Sequence, residues 1–60
     1  MTNQVGSPKE YAEAYRVMIK AGRSLEELNA ANHLALEKKA ISLRHFMAAA
    51  EVLKNEILKR

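Results

Sequence analysis

Residues 24–60 read SLEELNAANHLALEKKAISLRHFMAAAEVLKNEILKR, a run with neither proline nor glycine and rich in alanine, leucine, glutamate and lysine. These are good helix formers, and the run contains no true breaker. Its composition predicts one helix from about residue 24 to residue 60. At 1.5 Å per residue that helix would be roughly 55 Å long. The rival reading places a break at Asn32-His33, where two mediocre helix formers stand together.

Within the run, Asn29, Leu36, Leu43, Ala50 and Ile57 recur every seven residues. Three residues on from each lie Asn32, Lys39, Phe46, Leu53 and Arg60, with Leu25 leading the row. Spacings of three and four therefore alternate, as in a coiled-coil seam. Leu28, Ala40 and Met47 widen the stripe. Asn29, Asn32 and Lys39 interrupt its first half, whereas Leu43 to Ile57 is almost wholly apolar. A polar seam residue costs stability and can set register. On that reading, changing Asn32 and Lys39 together to leucine raises the melting temperature.

Upstream, Ser24-Leu25-Glu26-Glu27 has the spacing of a capping box, and Gly22 is suited to a left-handed helix end. Only Gly22 and Arg23 separate this start from a first helix over about residues 8–21. Ser7-Pro8-Lys9-Glu10 opens that helix with a cap, a proline at the first position and a glutamate three residues on. Its apolar stripe is Tyr11, Ala14, Tyr15, Met18 and Ala21, with Val17 at the edge. A link this short folds two helices into an antiparallel hairpin. The expected fold is therefore all-α. A short helix (8–21) hinges to a long one (24–60) in a single domain spanning residues 8–60, and residues 1–7 form a disordered tail.

The unequal lengths carry a consequence. The first helix can cover the long one only as far as about Lys38 or Lys39. Leu36, Leu43, Phe46, Met47, Ala50, Leu53 and Ile57 then form a candidate interface, most of it without intrachain cover. Exposed apolar runs of this kind favour a second chain, so a dimeric helical bundle or coiled coil is expected. A weaker stripe on the opposite face supplies Leu34, Ile41 and Val52 as a candidate second interface; its bland reading is scattered surface aliphatics.

The whole chain has 60 residues, net charge +3 and no cysteine. A domain this small is marginal alone and gains from a partner. Without cysteine it has no disulfide or thiolate metal site, which fits a reducing cytoplasm. Residues 1–7 lack the basic start and apolar run of a signal peptide, and no apolar stretch approaches bilayer length.

Chemistry is sparse. His33 and His45 are twelve residues apart and point differently on one helix, so no metal site is expected. There is no aspartate, no Ser-His-Asp set and no glycine-rich phosphate loop, so neither a catalytic centre nor a cofactor is expected. Lys38, Lys39, Arg44, Lys54, Lys59 and Arg60 scatter around the helix axis rather than forming a phosphate-binding stripe. Acidic and basic residues mix on the polar faces, unlike an interfacial membrane helix. No motif is specific enough to name a family. The first reading is a non-enzymatic protein–protein interaction module: a small dimeric regulator, adaptor, inhibitor or co-chaperone. The alternatives are a small dimeric nucleic-acid-binding regulator and a subunit that completes another protein's bundle.

Overall fold

A computed structural model describes residues 6–59. The described residues form three helices: α1 (Pro8–Lys20), α2 (Leu25–Glu37) and α3 (Leu43–Leu58). The fold is all-α, with no strand among the described residues. The expectation of a disordered tail lies outside the described residues for 1–5. Ser7 belongs to the helix start.

The local signals at α1 act as read. Ser7 Oγ accepts the Glu10 backbone N–H at 3.2 Å, and the Glu10 carboxylate accepts the Ser7 N–H at 3.1 Å, completing the capping box. Gly22, at φ +95°, ends the helix. Its N–H bonds the Ile19 carbonyl, and the Arg23 N–H reaches the Met18 carbonyl, a Schellman closure. Ser24 then caps α2 by accepting the Glu27 N–H at 3.3 Å. The Glu27 side chain turns to Arg23 Nε at 3.4 Å, so only half of this box forms.

The single helix over 24–60 does not form. The chain breaks at residues 38–42, not at Asn32-His33, which lies inside α2. Lys39 adopts φ +61°. The Lys39 N–H bonds the Leu36 carbonyl and the Ala40 N–H bonds the Ala35 carbonyl, a second Schellman closure without glycine. Ser42 restarts the helix, its Oγ accepting the His45 N–H at 3.4 Å. The molecule's longest dimension is accordingly 37 Å.

The energetics favour the break. A left-handed residue other than glycine costs roughly 1–2 kcal/mol. Folding α3 back buries Ile41, Val52 and Leu53, and each large aliphatic side chain so buried stabilises by about 1.5–3 kcal/mol.

Helix α3 is central, packing against both α1 and α2. The core joins Ala12 and Tyr15 of α1, Leu28 of α2, and Ala49, Val52 and Leu53 of α3. Ala49 is fully buried, and its small side chain lets the neighbouring helices approach. The inward face of α1 is rotated from the expected stripe: Ala12 is buried, whereas Ala14, Val17 and Ala21 face solvent. Among the described residues, no helix is long and apolar enough to cross a membrane.

Candidate functional site

Fold-back divides the expected seam. Leu53 becomes core, at 3% exposure, while Met47 on the same helix stays 60% exposed. Leu43 and Ile57 are also more than half exposed, and Leu36, Phe46 and Ala50 are half-buried. Of the second stripe, Ile41 and Val52 are inside the fold and Leu34 is exposed. The structure thus gathers Leu43, Met47, Ala50 and Ile57 along one side of α3, spaced at four, three and seven residues. Lys54 stands in the remaining heptad position, and the highly exposed Leu58 adjoins the strip.

A shallow groove of about 390 Å³ runs beside this strip, between the start of α2 and the end of α3. Leu25, Glu26 and Asn29 supply its α2 wall. Ala50, Leu53, Lys54, Ile57 and Leu58 supply the α3 side. The wall leaves no mark in the sequence, because residues 25–29 and 50–58 become neighbours only after the chain turns at Lys39. The surface is apolar along its length and polar at its rim, which suits an amphipathic helix.

A polar node joins the three helices. Tyr11 Oη donates to Asn32 Oδ1 at 2.9 Å, and Asn32 Nδ2 donates to the Phe46 carbonyl at 3.2 Å. The Tyr15 and Tyr11 hydroxyls are 3.2 Å apart. Since the Tyr11 proton serves Asn32, Tyr15 donates to Tyr11. Burial, reinforced by this hydrogen bond, pushes the Tyr15 phenol well above its ordinary range. No buried side-chain polar atom among the described residues lacks a partner.

No protein-family model, curated protein or solved structure matches the chain.

The two histidines are placed apart. His33 packs edge-on against Phe46, with ring centres 5.0 Å apart. His45 packs edge-on against Tyr11 at 5.6 Å. His45 Nδ1 lies 2.6 Å from Ser42 Oγ, and Nε2 lies 2.8 Å from the Gly6 carbonyl. A carbonyl only accepts, so Nε2 carries a proton. Ser42 already accepts the His45 N–H, so in the neutral ring its hydroxyl donates to Nδ1. The pair thereby closes the α3 cap and ties residue 6 to it.

Proposed function

We propose that this chain is a non-enzymatic protein–protein interaction module: a small regulator, adaptor, inhibitor or co-chaperone. It receives a helix on the α3 strip, giving a helical bundle across the contact. The observation that carries this reading is the exposure of Leu43, Met47 and Ile57 on one side of α3 at heptad-compatible spacing. Each such side chain gains about 1.5–3 kcal/mol on full burial. The groove against α2 adds a shaped edge. Lack of cysteine supports a cytoplasmic setting.

A small dimeric nucleic-acid-binding regulator is the second reading. It draws on Lys38, Lys39 and Arg44, all exposed around the α2–α3 turn. Three other cations, Arg16, Arg23 and Lys59, are paired with Glu13, Glu27 and Glu56, which weakens a broad phosphate-binding face.

Site-specific photo-crosslinking tests the first reading. A photoreactive residue in place of Met47 is expected to capture a polypeptide in cells of the native source. The same group at Glu13, on α1, is expected to capture none. Equal capture at both positions, or none at Met47, rejects the strip as a docking surface.

A further inference from the structure

The occupant of the strip can be read from the charges beside it. Leu43, Met47, Ala50, Lys54 and Ile57 are the inward positions of a two-helix seam laid on the exposed side of α3. The flank nearer the core carries Phe46 and Leu53, one half-buried and the other buried. The free flank carries Arg44 and Glu51, both exposed and one heptad apart. It therefore bears one cation and one anion at the separation over which an antiparallel copy of itself would exchange them.

We propose that the strip docks a second copy of this chain, α3 against α3 and antiparallel, with Met47 facing Ala50 of the second copy. This rests on the reading of the strip as a protein-binding surface. Two-fold symmetry then sets Arg44 beside Glu51 of the second copy, and Glu51 beside Arg44 of the second copy. Leu43 lies under the aliphatic stem of the second copy's Lys54, whose ammonium reaches water. Ile57 meets the second copy's α2–α3 turn at Ala40.

The alternatives each bring like charges together. Shifting the antiparallel register by one heptad, so that Met47 faces Ile57, places Glu51 beside Glu51. A parallel pair puts Lys54 against Lys54 in the same layer. Like charges placed opposite one another disfavour those arrangements.

Sedimentation equilibrium of the full chain tests the proposal. The wild type is expected to reach twice its 6.8 kDa mass. Arg44→Glu and Glu51→Arg are each expected to raise the dimer Kd by roughly tenfold, because both cross-chain contacts become repulsive. An equimolar mixture of the two variants is expected to regain wild-type affinity, since each chain then offers the opposite sign. Met47→Asp is expected to be monomeric with unchanged helicity, because Met47 makes little of the core. A wild type that stays monomeric to roughly 1 mM overturns the second copy. Capture of a different polypeptide at Met47 would then leave the docking reading standing. A dimer that Met47→Asp breaks but neither charge reversal weakens overturns the register. A dimer indifferent to Met47→Asp overturns both the register and the strip as its interface.

Discussion

Tyr11 and Asn32 stand 21 positions apart, yet the phenol of one donates a 2.9 Å hydrogen bond to the side-chain oxygen of the other. Asn32 has no exposed surface. Its amide also donates to the Phe46 carbonyl, so one side chain links α1, α2 and α3.

Asn32→Leu is therefore expected to destabilise the fold by about 1–3 kcal/mol, through loss of its hydrogen bonds to Tyr11 and to the Phe46 carbonyl. This reverses the expectation that leucine at Asn32 and Lys39 raises the melting temperature. Thermal denaturation followed by circular dichroism reads it directly. An Asn32→Leu variant that melts at or above the wild type would mean that the node contributes nothing.

Gly22 and Lys39 both end helices with positive φ, at +95° and +61°. A Cβ at Gly22 would touch nothing within 4 Å, so backbone strain alone sets the cost there. Gly22→Ala is expected to lose about 1 kcal/mol, and Lys39→Gly to gain about 0.5–1 kcal/mol. Chemical denaturation of the two variants should move the midpoint in opposite directions.

Ser42 starts α3 and holds His45. Ser42→Ala is expected to cost about 1 kcal/mol, while small-angle scattering still shows a compact particle. A particle lengthened toward a straight 24–60 helix would show that the cap, rather than the core, enforces the turn.

The phenol of Tyr15 is raised by burial and then by its bond to Tyr11, so the folded chain holds this proton more tightly than the unfolded chain does. Its contribution is complete below the unfolded phenol pKa of about 10 and is lost as pH rises beyond that value. Melting temperature is expected to fall across that alkaline range in the wild type and to fall less in Tyr15→Phe.

Leu53 and Leu43 separate core from surface on one helix. Leu53→Ala is expected to cost about 2–5 kcal/mol, whereas Leu43→Ala should change monomer stability by less than about 0.5 kcal/mol. Urea titration at dilute protein concentration, where any assembly is dissociated, makes the comparison.

The helical content, the start of α1 at Ser7 and Pro8, the stop at Gly22 and the start of α2 at Ser24 were all legible in the chain. Each depends on a contact within one helical turn, written in residues a few positions apart. The turn at Lys39 was not legible. It has no glycine, and Ser42 is followed at its third position by His45 rather than glutamate, so no local signature marks it. Remote burial decides it: Ile41, Val52 and Leu53 find cover only if α3 folds back, and that gain exceeds the strain at Lys39. The same event divided the candidate site. Heptad spacing identified Leu43, Met47, Ala50, Leu53 and Ile57 as apolar positions. Only tertiary packing chose Leu53 for the core and left Met47 in water, because spacing places residues on a helix face but does not say which neighbour will cover it.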